Sequence, residues 1–146
     1  MNSFNCNIEV RWSDLDPNFH VRHSAYYDYG AYVRIQFLTR YHITAQFMLE
    51  HGFGLIVFRE ECVFKKEIRL EDRVRVDLKL IQARRDFSRW TLQHHIFKND
   101  EILAAVITLE GAWMDTVNRK LMVPPEAVFH CFELAPRAEN FNWIEI

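Results

Sequence analysis

A single change of period limits what this chain can fold into. Between Tyr26 and Phe37, the residues Tyr26, Tyr29, Gly30, Val33 and Phe37 recur at helical spacing on one face. From Ile56 onward the spacing drops to two. Ile56, Phe58, Cys62 and Phe64 alternate with Val57, Arg59, Glu61 and Val63, and Val74, Val76, Leu78 and Leu80 alternate with Arg75, Asp77 and Lys79. Trp90, Leu92, His94 and Ile96 give another strand, and Leu103 to Trp113 is apolar on both faces near its centre, as in a sheet interior. Strands joined by short turns favour antiparallel pairing. One helix of about 15 residues must then cover a face of that sheet. With a short strand carrying Ile8, Val10 and Trp12, the expectation is an α+β fold: an antiparallel five-stranded sheet with one long helix.

Smaller signals fill in the rest. Ser24 is placed to cap the long helix, and Thr44 to cap a second short one that Gly52 ends. Pro124 and Pro125 close the sheet region, and Glu126 to Phe132 reads as a short final helix. With only 4 Gly and 4 Pro in 146 residues there is little room for linkers, so residues 1–146 are expected to form one domain. A chain of this size buries about 68–70% of its unfolded surface and needs no staples. The net charge of -2 argues against nucleic acid as a partner. Cys6, Cys62 and Cys131 are far apart and lack Cys-x-x-Cys spacing, which disfavours a disulfide framework or a zinc knuckle. The polar start, Met1 to Asn7, lacks the apolar core of a secretory signal. No apolar run approaches the ~20 residues of a membrane span. The expectation is a cytoplasmic protein with no membrane partner.

The chemistry concentrates in Asp14-Leu15-Asp16-Pro17-Asn18-Phe19-His20-Val21-Arg22-His23-Ser24-Ala25-Tyr26-Tyr27-Asp28-Tyr29. A strand runs into a polar loop and the loop into the aromatic helix. Carboxylate, amide and two imidazoles are crowded against a helix N-terminus, where unpaired N–H groups and the positive dipole end point outward. A carbonyl oxygen gaining charge would be stabilised there, with Asp16 beside it as base or nucleophile.

This segment resembles the hotdog-fold acyl thioesterases of the 4-hydroxybenzoyl-CoA thioesterase family. Asp14 and Asp16 match the family's Asp-x-Asp at the end of the first strand, and Val21, His23 and Tyr26 match the helix start. Asn18 and His20 replace the common Gly-rich loop, a variant similar to the plant acyl-carrier-protein thioesterases, in which Asp, Asn and His are all implicated. Ala25 and Ala31 stand where the family often has Asn and Glu. The resemblance implies a curved sheet wrapped around a long central helix, sites formed between two subunits of a homodimer or tetramer, and hydrolysis of an acyl-CoA or acyl-carrier-protein thioester. It implies no metal and no cofactor, coenzyme A being part of the substrate.

The catalytic candidates are therefore Asp16, Asn18 and His20. Against them stands plain turn chemistry, since Asp-Pro loops often use the carboxylate to close an Asx turn. Asn18 and His20 would orient water or donate to the oxyanion, or only bond within the loop. Substrate-binding candidates are His23 and Tyr26 at the helix start, Glu60, Arg84 and Arg85. Glu60 interrupts an apolar strand face and so needs a partner or a raised pKa; a bulge would put Glu61 there instead. Arg84, Arg85 and Arg89 would suit coenzyme A phosphates, although arginines on turns are usually just solvated. Asp16, His20 and His23 make a poor metal triad, with no fourth ligand evident. Two rival functions remain. An enoyl-thioester hydratase usually has its His five residues after the Asp, whereas His20 comes four after Asp16. A non-catalytic thioester-binding protein would explain Ala31 but not an intact Asp16.

Overall fold

The left-handed Gly52 (φ 67°) turns the chain from helix into sheet. The protein is described here by a computed structural model covering residues 3–145. Met1 and Asn2, part of the polar start noted above, and Ile146 lie outside the described residues. The elements are β1 (Asn5–Ile8), a 3₁₀ turn (Trp12–Asp14), α1 (His23–Arg40), α2 (Ala45–His51), β2 (Phe53–Phe64), β3 (Val74–Asp77), β4 (Lys79–Ala83), β5 (Arg89–Lys98), β6 (Ile102–Asp115), β7 (Lys120–Met122), α3 (Glu126–Glu133) and β8 (Arg137–Trp143).

β2 pairs with β6, β6 with β5, and β5 with both β3 and β4, all antiparallel. β1 extends β3, β8 adds to β4 in parallel, and β7 pairs with the end of β6. This is the hotdog arrangement, with the sheet wrapped around α1. Among the described residues it holds eight strands rather than five. Val74 to Ala83 splits in two because the Leu78 N–H turns to the Phe4 carbonyl (3.1 Å). β7 and β8 are short or polar, so alternation gave no sign of them. The first strand lies earlier than Val10 and Trp12 suggested. Asp14 accepts the Arg11 N–H (3.0 Å), folding that stretch into a 3₁₀ turn, and a local side-chain bond overrides the alternation.

α1 runs for 18 residues and starts two residues earlier than a Ser24 cap implies, with Arg22 as its N-cap. Ser24 lies inside the helix, where its hydroxyl accepts from Arg22 Nε (3.0 Å). Thr44 caps α2 as expected, accepting from the Phe47 N–H (3.0 Å). Ala25, Tyr29, Val33 and Phe37 of α1 share one core with Leu80, Trp90, Leu92, Ile96, Ile107 and Leu109 of the sheet, and this burial is the main source of stability. Gly30 lets the helix approach closely. A Cβ there would meet His94 Cδ2 at 3.1 Å and Ile107 Cδ1 at 3.4 Å. No helix among the described residues is long and apolar enough to cross a membrane.

A bulge between Val57 and Arg59 shifts the β2 register. Glu60 then lies opposite buried Leu109 and faces α1, at 23% exposure against 55% for Glu61. The bulge lies before Glu60, so it leaves that residue inward and reverses the earlier part of the strand. Leu55, not Ile56, joins the core.

Candidate active site

The motif loop is built around two aspartates with different surroundings. Asp14 is buried and accepts the Arg11 N–H, the Arg11 guanidinium (2.9 Å) and the Tyr29 hydroxyl (2.9 Å). Burial alone would raise its pKa; the bonds from Arg11 and Tyr29 outweigh that and hold the carboxyl below its usual range. It fastens the loop to α1.

Asp16 is only half-buried. Its Oδ1 accepts the N–H groups of Asn18 (2.9 Å) and His20 (3.2 Å), while its own N–H donates to the His20 carbonyl (2.8 Å). The turn-closing role is thus present. It uses one carboxylate oxygen, and Oδ2 takes no hydrogen bond among the described residues. The turn holds Phe19 at φ 65°, a left-handed conformation that costs a bulky side chain free energy. The Phe19 ring stands out to solvent against Trp12 (centroids 6.3 Å apart).

His20 points Nε2 at Glu67 Oε2 (2.9 Å). That contact puts a proton on Nε2, so in this arrangement this N–H serves Glu67 rather than a substrate oxygen. Asn18 and His23 are exposed, and their side chains make no hydrogen bond among the described residues. Tyr26 is buried at the first turn of α1, edge-on to Phe64 (5.0 Å). Burial pushes its phenol up to about 12. The β2–β3 loop closes over the motif, with Val21 N–H donating to the Ile68 carbonyl (2.8 Å). Glu67 was not suggested by the sequence, and no local pattern marks it.

The N-terminus of α1 is open. Arg22 contributes no capping side chain. Among the described residues, the N–H groups of His23 and Ser24 carry no hydrogen bond. Two donors at the positive end of an 18-residue helix are therefore free to meet an anionic oxygen.

Behind this turn lies a second polar cluster. Arg34 of α1 is buried at 8% exposure. A glycine one turn earlier, Gly30, is the signal that makes this intelligible, because helical side chains lie back toward the N-terminus. Arg34 Nη1 lies 3.1 Å from His94 Nε2 and 3.6 Å from Glu60 Oε2. The second distance pairs the charges but is too long for a hydrogen bond, and Glu60 Oε2 is buried without a partner. Burial raises the Glu60 carboxyl above its usual range, and Arg34 offsets this only in part. His94 Nδ1–H donates to the Asp77 carbonyl (2.8 Å), which makes Nε2 the acceptor for Arg34 and keeps the ring neutral. Burial, then Arg34, pushes its pKa down to about 3.

Arg84 and Arg85 lie in the β4–β5 turn, at the opposite end of β5 from Lys98, whose Nζ bonds the Glu67 carbonyl (2.6 Å). A single chain therefore does not bring them to its own motif loop. Arg85 pairs with Glu145 (3.1 Å) and lies over the Trp143 ring. Among the described residues no cluster of acidic, His and Cys side chains is placed to hold a metal ion.

Comparison with known proteins gives a consistent picture. The sequence profile of the thioesterase-like superfamily matches residues 10–132, from the motif loop into α3. A hypothetical protein from Aquifex aeolicus is 24% identical, with a TM-score of 0.80 over 88% of this chain and 98% of that one. A hypothetical protein from Staphylococcus aureus in complex with CoA is 19% identical, with a TM-score of 0.85 over 99% and 89% of the two chains. A 1,4-dihydroxy-2-naphthoyl-CoA thioesterase from Synechocystis is 18% identical, with a TM-score of 0.81 over 91% and 97%. These likenesses establish the hotdog fold. No curated protein sequence matches the chain.

Proposed function

We propose that this chain, which belongs to the thioesterase-like superfamily, hydrolyses an acyl thioester of coenzyme A at the N-terminus of α1. The observation that carries the reading is the pairing of a half-free carboxylate with an uncapped helix end. Asp16 is held by two bonds to Oδ1, so Oδ2 keeps its position without being tied up. In this reading the thioester carbonyl meets the N–H groups of His23 and Ser24, which stabilise the oxyanion. Asp16 Oδ2 either takes a proton from attacking water or attacks the carbonyl itself. The second route expels the thiolate and forms a mixed anhydride, which water then hydrolyses to free Asp16. Both routes end with water's hydroxyl on the acyl carbon and the thiol released with a proton. Asn18 orients water from the rim, and His20, braced by Glu67, shapes the loop. No metal or further cofactor is invoked. The CoA-bound staphylococcal relative and the CoA thioesterase from Synechocystis support coenzyme A as the thiol.

The working unit is proposed to be a homodimer or a higher oligomer. β2 is a 12-residue strand that, among the described residues, pairs on one side only, and Val57, Phe58, Val63 and Phe64 along it are exposed. A long apolar edge of this kind invites pairing with another strand. Two β2 strands running antiparallel would bring the second copy's β4–β5 turn, with its arginines, toward this protomer's motif loop. That would place Arg84 and Arg85 near the coenzyme A phosphates, which the lone protomer does not do.

The test is thiol release from a panel of acyl-CoA esters by the purified protein. Turnover of at least one ester that survives repeated purification and vanishes in Asp16→Asn is the expected result. Binding of acyl-CoA with no thiol release from any ester would leave a thioester-binding protein instead.

A further inference from the structure

Among the described residues, Asp16 hydrogen-bonds only inside its own turn. Its Oδ1 takes the Asn18 and His20 N–H groups, its N–H goes to the His20 carbonyl (2.8 Å), and its carbonyl takes the Phe19 N–H (3.0 Å). The aim of Oδ2 therefore depends on what fixes the turn itself. The base of the turn is closed by the Leu15–Val21 bridge and by the Arg22 N–H on the Asp14 carbonyl (2.8 Å). Above that base, a single polar side-chain contact among the described residues ties positions 16–20 to another element: His20 Nε2 on Glu67 Oε2 (2.9 Å). Glu67 is itself held from several sides. Its Oε1 accepts from Arg69 Nη2 (2.8 Å), and its carbonyl accepts from Lys98 Nζ at the end of β5 (2.6 Å). Ile68, the next residue, is fully buried, and its carbonyl takes the Val21 N–H (2.8 Å). The Arg69 N–H donates to Asp72 Oδ2 (2.8 Å), and Asp72 Oδ1 accepts from Asn99 Nδ2 (2.9 Å) in the β5–β6 turn. Adjacent loop residues thus meet adjacent motif residues, 67 with 20 and 68 with 21, and the end of the sheet stands behind them.

We infer that Glu67 is a positioning residue: acting through His20, it sets the direction in which Asp16 presents Oδ2, with the β2–β3 loop as a strut braced on the β5–β6 turn. This rests on the thioesterase reading above. His20 grips Asp16 with both of its main-chain groups, so a shift of His20 is a shift of the carboxylate. Misplacement of about 1 Å at a reacting centre can cost roughly 10²-fold in rate, and a fraction of that shift still costs several-fold. Folding, by contrast, has little need of the contact. The His20 and Glu67 side chains are 31% and 45% exposed, so water can serve either partner, and exposed pairs of this kind add little stability. What Glu67 supplies is an oxygen at a fixed place, rather than charge. A glutamine oxygen of the same reach can take the His20 N–H while the exposed Arg69 turns to water. An aspartate keeps the charge but withdraws the oxygen by one methylene.

The experiment measures kcat and KM separately, on whichever acyl-CoA the wild type turns over best. The variants are Glu67→Ala, Glu67→Asp, Glu67→Gln, His20→Ala and the double variant His20→Ala/Glu67→Ala, each with its Tm. Glu67→Ala and Glu67→Asp are expected to lower kcat by about tenfold with KM within about twofold of the parent. Tm should move by no more than about 4 °C. Glu67→Gln should bring kcat back to within about threefold of the wild type. Removing Glu67 from the His20→Ala background should change nothing further, because the two act as one unit. Glu67→Asp carries the test should Glu67→Ala fold poorly. A kcat in Glu67→Asp within twofold of the parent would overturn the inference alone. So would losses that multiply in the double variant, or a rise in kcat, which would mean that Glu67 holds His20 away from the reaction. No thiol release from any ester by the wild type would overturn both the inference and the function it rests on.

Discussion

Replacing Asp16 with Asn separates its turn-closing role, carried by Oδ1, from the catalytic role proposed for Oδ2. The Asn side-chain oxygen can still accept the Asn18 and His20 N–H groups, now at 2.9 and 3.2 Å. The turn and the left-handed Phe19 should therefore survive, with a stability change within about 1 kcal/mol. Charge and basicity are lost at Oδ2. General-base catalysis typically contributes about 10²–10⁴-fold, so kcat/KM should fall by at least that range, about 2.7–5.4 kcal/mol of barrier. A nucleophilic role would put the loss at the upper end or beyond. Asp16→Ala is the control in the other sense. It removes both acceptors and should cost about 1–2 kcal/mol of stability as well as activity. The assay is thiol release from an active acyl-CoA, followed by a chromogenic disulfide, with circular dichroism and Tm as folding controls. If Asp16→Asn keeps its fold and its activity within a few-fold of the parent, the reasoning fails and Asp16 is a turn residue only.

Asp14→Asn should destabilise the protein by about 2–4 kcal/mol, since the donors of Arg11 and Tyr29 would face a neutral amide. Denaturant melts at pH 7 measure it, and a loss below about 0.5 kcal/mol would count against the buried anchor. Because the folded Asp14 carboxyl titrates below its usual value, its contribution is present above the ordinary Asp pKa and disappears as pH falls through the lowered one. His94 adds a separate acid weakness. Its folded pKa of about 3 means that the unfolded chain takes up a proton below about pH 6.5 that the folded protein refuses, so stability should fall by about 1.4 kcal/mol per pH unit over that window. Nitrogen chemical shifts showing a neutral His94 ring at pH 5 would agree, and a protonated ring would refute it. Light scattering at micromolar concentration should show a dimer or larger species, and a lone 17.6 kDa species would oppose the role given to the β2 edge.

Much of the architecture was legible because hydrophobic periodicity reports burial directly. The stripe from Tyr26 to Phe37, the alternation at Trp90 to Ile96 and the Thr44–Gly52 caps are all local signals, and each appears where expected. The misreadings share a cause, which is a contact distant in sequence or a side chain competing with the backbone. The Leu78 N–H finds Phe4 across the sheet, Asp14 draws Arg11 into a 3₁₀ turn, and Arg22 takes the Ser24 hydroxyl that would have capped α1. In the site, the order of Asp16, Asn18, His20 and His23 along the loop was visible, whereas their orientation was not. Glu67 approaches His20 from 47 positions down the chain, the difference between the two residue numbers, and no spacing rule announces such a partner. Arg34 lies off the apolar stripe, and its burial follows from the space that Gly30 leaves beside it.

Gly30 has a mechanical meaning. A helix is stiff over two turns, so α1 acts as a rod resting on His94 and Ile107 at residue 30. Anything that lifts the rod at that fulcrum tilts its tip, and the tip carries the N–H groups of His23 and Ser24. A methyl group at position 30 needs a few tenths of an ångström from His94, whose ring is pinned between Arg34 and Asp77 and has little to give. Misplacement of about 1 Å at a reacting centre can cost roughly 10²-fold in rate. A residue about 10 Å along the helix from the proposed oxyanion donors would thus help set their aim.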